Sequence, residues 1–90
     1  MALPIVPLAS ATVEIGGVDV QYHAMSRAQA LQLQAFQGLP AEAEVHILMS
    51  GTGCTDEEAC AFREATDTAT AGSLIDAILI ISGLTEGPKA

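Results

Sequence analysis

Tryptophan is absent from this 90-residue chain, and its aromatic residues are Tyr22, Phe36 and Phe62. A core cannot be built around large rings here. It has to come from Ala, Leu, Ile and Val, and half of the residues are hydrophobic. That apolar content excludes a disordered chain, and the length bounds the answer to one domain with a thin core. Cations are equally scarce. Three Lys+Arg stand against eleven Asp+Glu, a net charge of −8. Nucleic acids and anionic membranes are held by basic patches, so neither is an expected partner. An acidic exterior instead keeps a small protein soluble by self-repulsion. Long apolar runs are missing too. The greasiest stretch, Leu74–Ile81, carries Asp76 and is far short of the roughly 20 residues a bilayer span needs. The opening "MALPIVPLA" has no basic residue and is interrupted by Pro4 and Pro7, which makes it a poor signal peptide. Cysteine is limited to Cys54 and Cys60, a usage that fits a reducing compartment, and a helix starting near Thr55 would make a bridge between them awkward. A cytosolic location is expected.

Motifs for chemistry are also lacking. His23, His46, Cys54 and Cys60 show no CxxC, HxxxH or HExxH spacing, so no metal site is expected. Cys54 or Cys60 with His46 would make a nucleophilic dyad only if the fold joined them, and a chain of this size has little room for a substrate pocket. "SGTGC" has two glycines but no following lysine to meet a phosphate. Asp56, Glu57 and Glu58 sit where a helix start accounts for them. No catalytic residue and no cofactor is expected.

What is present is a clear order of elements. "ATVEIGGVDVQYHAM" reads as a β-hairpin, because Gly16-Gly17 tolerates the positive φ angles of a two-residue turn. That turn sets Ile15 against Val18, Val13 against Val20 and Ala11 against Tyr22, all on one dry face. Thr12, Glu14, Asp19, Gln21 and His23 form the wet face, with Glu14 and Asp19 a like-charge pair. "SRAQALQLQAFQGLP" reads as a helix capped by Ser26 and ended by Gly38. Ala28, Leu31 and Ala35 share one side of it, and Leu33 and Phe36 another. "PAEAEVHILMSG" reads as a second helix, begun at Pro40 and stopped by Gly51. "TDEEACAFREAT" opens on the capping-box pair Thr55 and Glu58. The threonines of "DTATAG" and Gly72 weaken the pattern, so a last helix is expected from about Ala71 or Ser73 to Ser82, with Gly83 as its C-terminal cap. Its apolar residues run almost right round, which suits a central helix or a binding surface. The expected fold is α+β: a hairpin followed by a small bundle of about four helices. Residues 1–10 form an arm, 11–84 the domain and 85–90 a short polar tail.

Two resemblances arise. "GSLIDAIL" is faintly similar to the Asp-Ser-Leu site of acyl carrier proteins, but Gly72 stands where the aspartate belongs and an opening hairpin does not suit that all-helical fold. Ser73 reads more simply as a helix N-cap. More of the chain, from about Val13 to Lys89, resembles the tail assembly chaperones of long-tailed bacteriophages. "VEIGGVDVQYHAMS" resembles their opening hairpin leading into a Ser-capped helix, and "SRAQALQLQ" that helix. "GTGCTDEEACAF" resembles their mid-chain helix start, and "LIDAILIISGLTEG" their closing helix.

The resemblance implies a non-enzymatic protein of the bacterial host cytoplasm, absent from the mature virion. Such proteins bind the tape measure protein, keep that long helical chain soluble and assist tail tube assembly around it. It implies further partners in the tail tube protein and in a longer form of the chaperone made by ribosomal frameshifting, for which Gly87-Pro88-Lys89 can be encoded by a slippery run. Spare apolar area is also compatible with a homo-oligomer. Leu74, Ile75, Ile78 and Ile81 are expected in the core, and Leu33, Phe36, Leu79 and Ile80 at the partner. The rival reading is an acidic inhibitor or adaptor of the DNA-mimic type that occupies a basic groove.

Overall fold

The Gly16-Gly17 pair turns the chain with φ of 59° and 81°, the double positive that a tight antiparallel hairpin demands. β1 (Ser10–Ile15) and β2 (Val18–His23) pair in the expected register, with Ile15 opposite Val18, Val13 opposite Val20 and Ala11 opposite Tyr22. The ladder begins one residue earlier than expected, at Ser10 opposite His23. Val13, Ile15, Val20 and Tyr22 pack their half-buried side chains on the helical core. The computed structural model describes residues 3–85. The polar tail beyond Thr85, with Gly87, Pro88 and Lys89, lies outside the described residues.

Four α-helices follow, giving an α+β fold: α1 (Arg27–Gln32), α2 (Pro40–Thr52), α3 (Asp56–Ala65) and α4 (Thr68–Ile81). The Ser26 hydroxyl accepts from the Gln29 amide and the Gln29 side chain accepts from the Ser26 amide, a reciprocal cap. The first helix is shorter than its sequence pattern. From Leu33 to Phe36 it tightens to a 3₁₀ turn, and α1 has no buried residue. Leu33 and Phe36 face the body half-buried, while Ala28, Leu31 and Ala35 lie exposed.

Gly51 does not stop α2. The helix runs on to Thr52 and ends at Gly53, which takes the left-handed conformation. Gly51 is buried because α4 crosses there: an added Cβ would lie 2.6 Å from the Cδ1 and Cγ2 atoms of Ile78. Close helix approach, not helix termination, explains this glycine.

The last helix also starts earlier than expected. Asp67 is its N-cap, accepting from the Thr70 amide at 3.0 Å. Ser73 is therefore not a cap. It lies inside α4 and its hydroxyl donates to the Ala69 carbonyl at 2.8 Å. At the far end Gly83 donates to the Ile80 carbonyl and Leu84 to that of Leu79, a Schellman closure with Gly83 at a φ of 75°.

The core gathers Met25, Ile47, Leu48, Ala59, Leu74, Ile75 and Ile78, with no aromatic side chain among them. Ile81, expected with them, is only half-buried. α2 is the organising element, in contact with α3, α4, β2 and the 3₁₀ turn. The Ser82 hydroxyl ties the layers together. It accepts from the Met25 amide at 2.8 Å and donates to the Ile78 carbonyl at 2.6 Å, joining the exit of the hairpin to the end of α4.

Candidate functional site

A cavity of about 320 Å³ opens between the 3₁₀ turn, α2 and α3. Phe36 comes from the turn, Ala41, Glu42, Val45, His46 and Met49 from α2, and Asp56, Cys60 and Arg63 from α3. Positions 42, 45, 46 and 49 follow helical spacing, as do 56, 60 and 63, so each helix turns one stripe toward the groove. Phe36, Ala41, Val45 and Met49 supply apolar surface; Glu42, Asp56 and Arg63 supply charge.

Local structure fixes the walls. His46 donates from Nε2 to the Gln29 carbonyl at 2.8 Å, tying α2 to α1. Its ring lies against Phe36 with centroids 5.3 Å apart and planes 36° apart. The tightening of the chain at Leu33 sets where Phe36 falls. On the other wall the Arg63 Nε donates to Glu44 Oε1 at 2.8 Å, linking α3 to α2. Both partners are partly exposed, so the pair positions the guanidinium more than it stabilises the fold.

Of the four residues expected at a partner, Phe36 lines this groove and the others do not. Leu33 and Leu79 are half-buried and pack on the core. Ile80 is 37 % exposed. The groove residues Ala41, Val45, Met49 and Arg63 escaped the sequence reading, and Cys60 was weighed there only as a nucleophile or metal ligand. Their signal lay in two helices whose matching stripes gain meaning only when α2 and α3 are set side by side.

His46 and Cys60 border one cavity, yet each is committed elsewhere. The Cys60 thiol lies 3.7 Å from the Asp56 Oδ1 and donates toward it. Desolvation, and after it the Asp56 carboxylate, hold the thiol above its ordinary pKa. It stays protonated at neutral pH, the weak form of a nucleophile. Cys54 is also a free thiol and borders a second cavity of about 200 Å³ with Val20, Leu48, Thr52, Glu58, Ala59, Phe62 and Leu74. Among the described residues no three His, Cys, Asp or Glu side chains gather as a metal site, and no helix is long and apolar enough to cross a membrane. What the groove can do is accept an apolar side-chain stripe. Comparison with protein-family models, curated proteins and solved structures finds no match to this chain.

Proposed function

We propose that the chain is a tail assembly chaperone of a long-tailed bacteriophage, a non-enzymatic protein that binds the tape measure protein. In this reading it holds that helical client soluble in the host cytoplasm, assists tail tube assembly and is left out of the mature virion. The observation that carries the reading is the groove between the 3₁₀ turn, α2 and α3. Its apolar surface and charged border match what an amphipathic client helix offers, with apolar anchors at i, i+3 or i+4, and i+7. Met49, unbranched and polarisable, adapts to varied side chains. The net charge of −8 keeps a complex with a greasy client in solution.

Co-expression with the neighbouring long helical reading frame tests this. The client is expected in the soluble fraction, in a complex that survives high salt. Replacing Met49→Glu together with Ala41→Glu places carboxylates in the groove and is expected to send the client to the pellet while the variant itself stays folded. An insoluble client beside the unaltered protein overturns the proposal. A partner that is basic and released by modest salt favours the acidic adaptor instead, because exposed charge pairs are screened over about 10 Å at 0.1 M salt.

A further inference from the structure

The hairpin is one strand narrower than the helices beneath it. α2 contacts both α3 and α4, whereas β1 rests on α4 and β2 on α4 and α2. Among the described residues the sheet has these two strands and stops short of α3. Beside β2 lies the cavity of about 200 Å³ that Cys54 borders. Val20 reaches it from β2, Leu48 from α2, Ala59 and Phe62 from α3, and Leu74 from α4. Leu48, Ala59 and Leu74 are buried core residues. The gap therefore opens onto the core at the place a third strand would cover.

The edge of β2 is equipped to take that strand. The Ala24 amide donates to the Ala9 carbonyl at 2.8 Å, continuing the ladder beyond Ser10 and His23. Bonded and non-bonded pairs alternate in an antiparallel ladder, so Ala11–Tyr22, Val13–Val20 and Ile15–Val18 are the bonded ones. Asp19, Gln21 and His23 turn their N–H and C=O groups away from β1. Among the described residues none of these groups has a hydrogen-bond partner. A row of open donors and acceptors is satisfied by an extended main chain, not by a helix. Charge is arranged to match. Asp19 already faces Glu14 across the ladder, Glu58 is the charged residue of the cavity border, and among the described residues no cation pairs with any of the three.

We propose that an extended segment of a partner protein adds to β2 as a third strand, with an aliphatic side chain opposite Val20 in the cavity and a lysine or arginine opposite Asp19. Side chains directly opposite across a ladder share a face of the sheet. A residue opposite Val20 points to the core, and residues opposite Asp19 and Gln21 point to water. The cation relieves the repulsion between Asp19 and Glu14. Segments of this chain do not meet these terms. The N-terminal arm enters on the β1 side, and its Pro4 and Pro7 lack the donor a ladder needs. Arg27 and Arg63 are held in helices. A second copy brings the same acidic edge and the same charge of −8. The occupant is a basic, alternating strand of another polypeptide: main-chain bonds hold it, and the cavity and Asp19 select it. This surface is separate from the α2–α3 groove.

An end-capped Thr-Val-Lys-Val-Lys-Val-Thr peptide is the probe, with valines facing the core and lysines facing water. Amide exchange followed by NMR on the full chain, at about 1 mM peptide, is expected to slow at Asp19, Gln21 and His23 and to stay unchanged at Ser10, Thr12 and Glu14. Methylating the lysine amides is expected to abolish binding. Asp19→Lys is expected to weaken the lysine peptide about two- to fivefold and to strengthen its glutamate counterpart. A native thiol locates the strand. In a Cys60→Ser chain, a peptide whose central valine is replaced by cysteine, carried as an activated disulfide, is expected to trap Cys54 and release the activating thiol. The same cysteine at a lysine position is expected to trap it far more slowly. Protection that is absent or equal on both strands, binding indifferent to amide methylation or to the sign of the peptide, or trapping indifferent to its face overturns the proposal. None of these readouts involves the tape measure protein, so the result stands apart from the chaperone reading.

Discussion

Gly51 and Ile78 meet where α2 crosses α4, and the contact sets a test with a change of sign. In a helix interior Ala is favoured over Gly by about 1 kcal/mol. Here the added methyl would lie 2.6 Å from Ile78 atoms in a side chain that is 0 % exposed. Overpacking of this kind costs about 1–3 kcal/mol, so Gly51→Ala is expected to destabilise. Ile78→Ala alone leaves a cavity at a cost of about 2–5 kcal/mol. In that background the clash is gone, and Gly51→Ala is expected to stabilise by about 1 kcal/mol. Urea unfolding of the four chains reads the cycle; equal effects of Gly51→Ala in both backgrounds would remove Ile78 as the reason for the glycine. Ser82 carries a second residue-scale prediction. Ser82→Ala orphans the amide of the buried Met25, for an expected loss of about 1–3 kcal/mol. If the loss is within a few tenths, water has replaced the hydroxyl.

At the scale of elements, the starts of α1, α2 and α3 were legible in the sequence, because caps and first-turn residues are local. Ser26 read as a cap and Thr55 with Glu58 as a capping box, and the structure has both, with Gln29 completing a box at Ser26 that the reading did not name. The hairpin register was legible for the same reason: a two-residue Gly-Gly turn leaves one pairing. Stops and breaks were less so. Gly51 read as a terminator because nothing nearby reveals Ile78, 27 positions away. The 3₁₀ turn at Leu33 was hidden, since the chain tightens there to bring Phe36 onto His46 of another helix. Asp67 was a missed local signal, an acceptor three residues before a donating Thr70 amide, masked by weak helix formers around it. Of the candidate site, only Phe36 was legible; the rest required α2 and α3 to be juxtaposed.

The same caps predict the acid response. Hydrogen bonds from the Thr55 backbone and hydroxyl hold Glu58 below its ordinary value near 4.5. The Thr70 side chain and then its amide hold Asp67 below 3.8. A carboxylate with a lowered folded-state pKa stabilises the fold above its unfolded value, and that contribution fades as pH falls through the lowered one. Stability is therefore expected to decline as pH drops from about 4.5 downward. Asp67→Asn keeps an N-cap acceptor but does not titrate there, so it should flatten this decline without abolishing α4. A titration of the thermal midpoint identical in the variant and the parent would place the acid sensitivity elsewhere.

At the scale of the whole molecule, charge imbalance sets a further expectation. Eleven carboxylates and three cations cannot all find opposite neighbours, and among the described residues Arg63–Glu44 is the one ion pair. The hairpin adds a direct conflict, with Glu14 opposite Asp19 in the ladder. Folding brings these carboxylates closer than the unfolded chain holds them, so screening favours the folded state. The thermal midpoint is expected to rise between low and moderate sodium chloride concentrations. Asp19→Lys turns the like pair into an opposite one and lowers the net charge from −8 to −6. Cross-strand pairs contribute roughly 0.2–1 kcal/mol, so the variant is expected to gain about that much at low salt. The gain should shrink as salt rises, because the same screening weakens both the repulsion removed and the attraction introduced. A gain that is unchanged by salt would point to β-propensity at position 19, and a loss would show that the Asp19 carboxylate has a favourable partner in solution that outweighs Glu14.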